Sequence, residues 1–161
     1  KRGVIMPIIN DEDMEVLRKV AGRFGLDKIK SCEKLSGGIT NDTFKITTDR
    51  GVFVAQRLNK FFAKSTILKH HLVSNHLRNN QFFKIPQLIK NSNLLLTTKI
   101  KNRNWRVSHY IDHDKVEKNL PLVIKSASTL GKFHGIMSNY DSPINKSSIV
   151  NFHNTKRIIE K

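Results

Sequence analysis

Two adjacent glycines between two predicted strands are the residues whose type and spacing most clearly indicate chemistry. Gly37 and Gly38 are followed by polar residues and precede a predicted β-hairpin. Glycine has no side chain, so it lets backbone N–H groups approach phosphate oxygens and adopts the dihedral angles that this approach requires. A cation on the third strand would reach the same phosphates. The pattern therefore indicates contact with a nucleotide, and its simpler alternative is an ordinary tight turn.

The elements that would hold this glycine loop follow from hydrophobic periodicity and turn residues. Residues 11–24 have apolar positions at three-and-four spacing, acidic residues in the first turn and Gly25 as a stop, which predicts an amphipathic helix. Strands are predicted at 28–35, 42–48 and 51–58, and a hairpin turn at 49–51. The glycine loop thus lies between the first two strands of an antiparallel sheet.

The remaining elements complete the sheet and open a second part of the chain. A helix is predicted over 65–77, because Ile67, Leu68, His71 and Leu72 share one face. Further strands are predicted at 87–90, 94–100 and 105–111, with a polar turn at 101–104, and further helices at 120–137 and 151–161. The apolar face of helix 120–137 is expected to face a core, with His134 as part of that packing. This order predicts an α+β fold, in which an antiparallel sheet of about five strands has one helix inserted after the third.

The positive charge of the chain is compatible with several kinds of anionic partner and does not distinguish among them. The 161 residues include 29 Lys and Arg against 13 Asp and Glu, a formal net charge of +16 that attracts polyanions such as nucleic acid. The lysines are scattered, however, and aromatic residues interleave with them only at 60–64 and 81–84, which are more simply interpreted as hydrophobic flanks of a helix. A basic module that binds nucleic acid is therefore an alternative that the pattern does not favour.

Cysteine content and hydropathy indicate the compartment. Cys32 is the only cysteine and cannot form an internal disulfide, which favours an intracellular, cytoplasmic protein in which Cys32 is an inert, half-buried thiol. No apolar run reaches the roughly 20 residues of a membrane span, so no membrane association is expected. Because the chain starts at Lys1 rather than methionine, we expect it to be cut from a longer polypeptide.

Four short motifs follow one another along most of the chain. They are Gly37-Gly38-Ile39-Thr40-Asn41-Asp42-Thr43-Phe44, Val54-Ala55-Gln56-Arg57-Leu58-Asn59 with Phe62, Trp105-Arg106-Val107 with Tyr110-Ile111, and Leu130-Gly131-Lys132-Phe133-His134. In this order and spacing they resemble consecutive motifs of the aminoglycoside phosphotransferase and choline kinase superfamily. Within it, they are most similar to the N-acetylhexosamine 1-kinase-like branch.

The resemblance implies a protein-kinase-like fold, with a nucleotide-binding small lobe at 1–109 and the hinge and first helices of a truncated large lobe at 110–161. The loop over the ATP phosphates would consist of Ser36, Gly37, Gly38, Ile39, Thr40 and Asn41. Gln56 stands where relatives place a lysine or arginine that contacts the phosphates, and Arg57 is the alternative cation if the register shifts. Since strand neighbours face opposite ways, only one of the two can point into the cleft. The hinge that offers backbone groups to adenine would be His109, Tyr110 and Ile111.

The same resemblance implies ATP and Mg²⁺ as cofactors and a small-molecule acceptor hydroxyl, with an N-acetylhexosamine-like sugar as the expected acceptor. Relatives place a His-Gly-Asp loop, an asparagine and a further aspartate in the C-terminal lobe, and this chain lacks them, because Ile136 follows His134 and Gly135. The stretch 69–71 also replaces an acid of the inserted helix. No catalytic residue and no Mg²⁺ ligand is therefore assigned, and the chain alone is expected to be inactive. A pseudokinase-like interaction lobe is a second alternative.

Overall fold

The computed structural model describes residues 9–26, 28–36, 40–60, 64–82, 84–113 and 120–144. These residues form two compact units. The first comprises the described residues of Lys1–Ala63 and Pro86–Tyr110, and the second comprises those of Lys64–Ile85 and Ile111–Lys161. The helix predicted over 151–161 lies outside the described residues, and the lobe boundary at 109–110 stays a prediction. Among the described helices, none is long and apolar enough to cross a membrane.

The first helix, α1 (Asp11–Arg23), is fixed at both ends by its local sequence. The side-chain oxygen of Asn10 accepts a hydrogen bond from the N–H of Asp13 at 2.7 Å and so caps the N-terminus. At the other end Gly25 has a φ of +63°, and the N–H of Leu26 donates to the carbonyl oxygen of Ala21 at 3.0 Å. A left-handed residue with this bond pattern ends many helices. The structure confirms both the predicted helix and its glycine stop.

Five strands form one antiparallel sheet in the first unit. They are β1 (Ile29–Leu35), β2 (Asp42–Thr48), β3 (Gly51–Arg57), β4 (Thr98–Ile100) and β5 (Arg103–His109), in the spatial order β1-β2-β3-β5-β4. This order places β3 between β2 and β5, so that Thr43 is opposite Gln56 and Gln56 is opposite Arg106. The sheet confirms the predicted α+β class, with about five antiparallel strands.

One face of this sheet carries the hydrophobic core of the first unit. Alternate residues of the three central strands point to this face and pack with α1. The buried members of the cluster are Phe44, Ile46, Phe53, Ala55, Trp105 and Val107 from the strands and Val16, Leu17, Val20 and Ala21 from α1. Because side chains alternate along a strand, Thr43, Gln56 and Arg106 project from the opposite face. The core thereby decides which polar side chains face away from α1.

In the second unit, α2 (Lys64–Asn79) and α3 (Leu120–Met137) are joined by side chains near their C-terminal ends. His76 Nε2 lies 3.1 Å from the carbonyl oxygen of Ile136, and the His76 ring lies 4.8 Å from the ring of Tyr140. The prediction that α3 faces a core is wrong for the described residues, because none of its residues is buried. His134 is also exposed, so its predicted packing role is wrong on the same ground.

Two predicted strands are shorter than the sequence pattern indicated, because a polar turn lies between them. Residues 87–90 form only an isolated bridge, between Leu88 and Ser108. The prediction of a strand over 94–100 is correct only for Thr98–Ile100. The side-chain oxygen of the buried Asn91 accepts hydrogen bonds from the N–H groups of Asn93 and Leu95 at 2.9 and 3.0 Å, which bends the chain before β4.

The turn between β4 and β5 is also tighter than predicted. Lys101 and Asn102 both have positive φ angles, of +46° and +59°, and they alone separate the two strands. β5 therefore begins at Arg103 and ends at His109, two residues earlier at each end than the predicted strand over 105–111. The shift leaves Tyr110 and Ile111 just beyond the strand.

Candidate functional site

The predicted phosphate loop connects β1 to β2, as the sequence indicated. Gly37, Gly38 and Ile39 lie outside the described residues, while Ser36 and Thr40 are exposed and Asn41 is half-buried. The side-chain oxygen of Asn41 accepts a hydrogen bond from the N–H of Asn59 at 2.8 Å, which ties the end of the loop to the chain after β3. The start of β2 and the end of β3 are thereby held together beside the loop.

A row of three polar side chains crosses the sheet next to this loop, on the face away from α1. Gln56 Nε2 donates to Thr43 Oγ1 at 3.1 Å, and Arg106 Nε donates to Gln56 Oε1 at 2.8 Å. All three side chains are half-buried, and they come from β2, β3 and β5. We call Thr43, Gln56 and Arg106 the polar row. Its hydrogen bonds fix the side-chain amide of Gln56 between a hydroxyl and a guanidinium.

Arg57 projects from the other face of β3, where two carboxylates bind its guanidinium. Its Nη1 lies 3.0 Å from Asp13 Oδ1 on α1, and its Nη2 lies 2.8 Å from Asp42 Oδ2 on β2. Its Nε also donates to Asp42, at 2.8 Å, and its guanidinium lies 5.7 Å from the centre of the Trp105 ring. Gln56 and Arg57 thus face opposite ways. The side chain of Arg57 points toward α1, and carboxylates of the first unit neutralise its positive charge.

The ionisation of Asp42 reflects this pairing. Burial opposes its charged form, but hydrogen bonds from Arg57 and Lys34 outweigh that effect and hold the pKa of Asp42 below its usual value. Lys34 Nζ lies 3.2 Å from the other carboxylate oxygen. Asp42 is therefore charged at neutral pH and forms ion pairs with two cations.

The predicted hinge residues follow the end of β5, and two of their N–H groups are already used. The N–H of His109 donates to the carbonyl oxygen of Gln87 at 3.0 Å, and the N–H of Tyr110 donates to that of Val52 at 3.1 Å. The ring of Tyr110 lies under Lys45, whose Nζ is 4.2 Å from the ring centre. Ile111 is the first residue of the second unit. The N–H groups of His109 and Tyr110 therefore donate within the chain rather than to an adenine edge.

Arg106 is the site residue that the sequence did not single out as a phosphate contact. In the sequence it stands out only as part of the Trp105-Arg106-Val107 motif. The signal that could have identified it is alternation: two large apolar residues flank a cation, so the cation must face away from the core that they enter. Its proximity to Gln56, 50 residues earlier in the chain, could not be seen without the strand register.

The polar row suits phosphate oxygens better than a metal ion. Arg106 and Gln56 present N–H donors, whereas Mg²⁺ binds oxygen ligands, above all carboxylates. Among the residues that the structure describes, no group of three or more His, Cys, Asp or Glu side chains could hold a metal ion. The residues present do not fit Mg²⁺, so no step through the ion is assigned to this chain.

A separate cavity of about 440 Å³ lies in the second unit. It is lined near the ends of α2 and α3 by His76, Asn80, Gln81, Phe82, Lys132, Gly135, Ile136 and Asn139. None of these residues was predicted to contact a nucleotide. None of them belongs to the polar row either.

Solved structures share the fold of this chain, although no protein-family model and no curated protein matches its sequence. The chain is similar to amicoumacin kinase hAmiN in complex with AMP-PNP, Ca²⁺ and Ami, with a TM-score of 0.69, 16% identity, and coverage of 84% of this chain and 42% of that one. It is similar to spectinomycin phosphotransferase in complex with ADP and spectinomycin, with a TM-score of 0.65 and 13% identity. That match covers 96% of this chain and 46% of the other. It is also similar to an aminoglycoside phosphotransferase from Alicyclobacillus acidocaldarius, with a TM-score of 0.58 and 17% identity. That match covers 84% of this chain and 39% of the other.

The chain thus spans less than half the length of each of these three structures. At these identities the likeness concerns the fold. It confirms the predicted class, an antiparallel sheet of five strands with helices inserted and appended. Its sheet and helices match the N-terminal lobe of the protein-kinase-like fold.

Proposed function

We propose that this chain is the nucleotide-binding lobe of an ATP-dependent small-molecule kinase that phosphorylates a hydroxyl group. The observation that carries the proposal is the polar row, which places a hydrogen-bonded amide and a guanidinium beside the loop between β1 and β2. Two of the structural neighbours were solved with AMP-PNP or ADP, and their names describe a kinase and a phosphotransferase. The proposal extends that kind of activity to this chain.

The positions of the three predicted parts suit a nucleotide. His109 lies three residues after Arg106 on β5, which corresponds to roughly 10 Å at about 3.3 Å per residue. An adenosine diphosphate moiety that lies along β5 would span a distance of this order, with its base near His109 and Tyr110 and its phosphates near the polar row. Glycine N–H groups of the loop at 36–41 would then approach the phosphates from the side of β1 and β2.

The proposal also covers the acceptor and the lobe that would recognise it. We infer an N-acetylhexosamine-like sugar from the motifs of residues 37–44 and 54–59, and its recognition would depend on a C-terminal lobe with which this chain would pair. That lobe would also supply the proton acceptor and the Mg²⁺ ligands, so this chain alone is proposed to bind ATP without transferring phosphate. Use of ATP fits the cytoplasmic location predicted from the single cysteine.

Nucleotide binding can be tested by isothermal titration calorimetry of the chain with ATP and with inorganic tripolyphosphate, at about 0.15 M salt. Because the net charge is +16, any polyanion is attracted, and tripolyphosphate measures that background. The proposal expects saturable binding of ATP that is at least about tenfold tighter than binding of tripolyphosphate. Equal affinities that both vanish with added salt would overturn it.

A matched pair of variants connects this binding to the polar row. Gln56→Leu removes the amide at nearly constant volume and should weaken ATP binding about tenfold, the usual effect of losing one hydrogen bond to a charged group. Thr47→Val changes another polar residue of β2, paired with Val52 near the far end of β3, and should leave the affinity unchanged. Similar losses in both variants would contradict a site at Gln56.

Two further measurements address the alternatives. Incubation of the chain with radiolabelled ATP and N-acetylhexosamine should give no labelled sugar, and transfer that is abolished by Gln56→Leu would refute the proposed inactivity. Titration with a short RNA should give a dissociation constant that rises steeply with salt. Near physiological ionic strength this constant should lie above the micromolar range, which means weak binding. Tighter binding to RNA than to ATP would favour the nucleic-acid module instead.

A further inference from the structure

The basic residues around the start of β2 differ in how their charges are compensated. Arg57 pairs with two carboxylates, and Lys34 pairs with one of the same two. Arg106 has no carboxylate within ion-pair distance in the part of the chain that the structure describes, and the only hydrogen bond of its side chain there goes to the neutral amide of Gln56. Arg106 is thus a half-buried cation whose positive charge no described residue neutralises.

The surroundings of Arg106 make it unfavourable to leave its charge without a partner. Burial lowers the pKa of the Arg106 guanidinium below its usual value, because the charged form loses hydrating water. A guanidinium remains protonated even so. A half-buried charge without a partner costs free energy, and an anion that binds beside it would recover that cost.

The hydrogen bond to Gln56 also orients the guanidinium. Nε donates to Gln56 Oε1 at 2.8 Å, and no other described residue binds the two terminal nitrogens, which leaves them for a second partner. Gln56 is itself held, because its Nε2 donates to Thr43 Oγ1. A neutral amide fixes the guanidinium without reducing its charge, unlike the carboxylates that hold Arg57. Two terminal nitrogens in one plane suit two oxygens of a phosphate.

We propose that Arg106 is the cation that binds the phosphates of the nucleotide, and that Gln56 is the residue that positions it. The inference rests on the proposed nucleotide-binding function. It places the phosphate-binding charge on β5, at the register position opposite Gln56, rather than on β3. Arg57, the cation that the sequence offered as an alternative, then serves only the packing of α1 on the sheet.

The test compares three variants for binding of ATP, ADP and adenosine by calorimetry. Arg106→Gln should weaken ATP and ADP binding about ten- to a hundredfold, the effect expected for a lost charge-assisted contact, and should leave adenosine binding unchanged. Arg106→Lys keeps the charge without the planar fork and should recover part of the loss. Arg18→Gln makes the same change in net charge at an exposed position of α1 and should have no effect on any ligand.

The series separates this inference from the function on which it rests. Wild-type chain that binds ATP no more tightly than tripolyphosphate would overturn both. Wild-type chain that binds ATP specifically, with Arg106→Gln as tight as Arg18→Gln, would overturn the role of Arg106 alone. Loss of adenosine binding in Arg106→Gln, or a lowered thermal unfolding midpoint that Arg106→Lys also shows, would identify a structural effect and would likewise count against phosphate contact.

The positioning role of Gln56 has its own readout. Gln56→Leu leaves Arg106 charged but unoriented, so it should weaken ATP binding while the double variant Gln56→Leu/Arg106→Gln weakens it no further than Arg106→Gln alone. Additive losses would show that Gln56 acts independently of Arg106.

Discussion

Arg57 on β3 binds Asp13 on α1 with 3.0 Å between Nη1 and Oδ1, although 44 residues separate them in the chain. The same guanidinium binds Asp42 on β2, so it joins the helix to two strands. Asp13 lies in the first turn of α1, where a negative charge is favourable to the helix dipole. The pair therefore acts as a polar connection at the edge of the core.

Removal of Arg57 should destabilise the fold measurably. Arg57→Met keeps the aliphatic stem and leaves two partly buried carboxylates without their cation, so the free energy of unfolding should fall by about 1–3 kcal/mol. Urea denaturation of Arg57→Met, Asp13→Asn and the double variant measures the coupling of the pair, which should exceed about 0.5 kcal/mol. Strictly additive losses would show that the contact contributes little.

Acid should weaken the protein partly through Asp42. Its pKa in the folded state lies below its unfolded value of about 3.9, so the stabilisation is complete above about pH 4 and is lost as the pH falls through the folded pKa. Asp42→Asn should therefore be less stable than wild type at pH 7, with the difference narrowing as the pH falls below about 4. Denaturation curves at several pH values measure this difference, and a gap that stays constant with pH would contradict the assignment.

Two glycines of the same helical segment should respond to alanine with opposite signs. Gly25 has a φ of +63°, which alanine adopts at a cost, so Gly25→Ala should destabilise the protein by about 1 kcal/mol. Gly22 lies within α1 with no atom within 4 Å of an added Cβ, so Gly22→Ala should stabilise it by about 0.4–1 kcal/mol. Thermal unfolding of both variants makes the comparison, and destabilisation by both would refute it.

Cys32 should react slowly with thiol reagents. Burial raises the pKa of the Cys32 thiol to about 11, well above the usual value of about 8.5, and the thiolate is the reactive form. The rate of alkylation by iodoacetamide at pH 8 should be far below that of free cysteine and should rise steadily with pH through 10. A rate profile with its midpoint near pH 8.5 would contradict this environment.

The parts of the fold that local sequence determines were predictable. The apolar spacing, the acidic first turn and the stop at Gly25 define α1, and alternation defines β2 to the residue. The segment around Leu94 and Leu95 was not predictable in this way. Its run of leucines is typical of a strand, but both side chains are exposed in a turn that the buried amide of Asn91 organises.

The candidate site was predictable only in part, for a physical reason. The alternation rule requires Gln56 and Arg57 to face opposite ways, but it does not say which of them faces α1. That choice follows from the core: Phe53 and Ala55 pack against α1, so Arg57 projects on the same side, where Asp13 and Asp42 bind it. The pairing of Gln56 with Arg106 depends on β5 lying beside β3, which follows from sheet order rather than from any local pattern.

Trp105 gives this chain an optical property of its own. It is the only tryptophan, its side chain is fully buried, and its ring centre lies 5.9 Å from that of Phe44. Within the described residues its indole N–H has no hydrogen-bond partner, so its fluorescence should be that of an indole in a dry environment. Arg106 is its neighbour on β5 but faces the other way. The emission of this single fluorophore therefore reports unfolding of the sheet directly, from the side that a nucleotide would not touch.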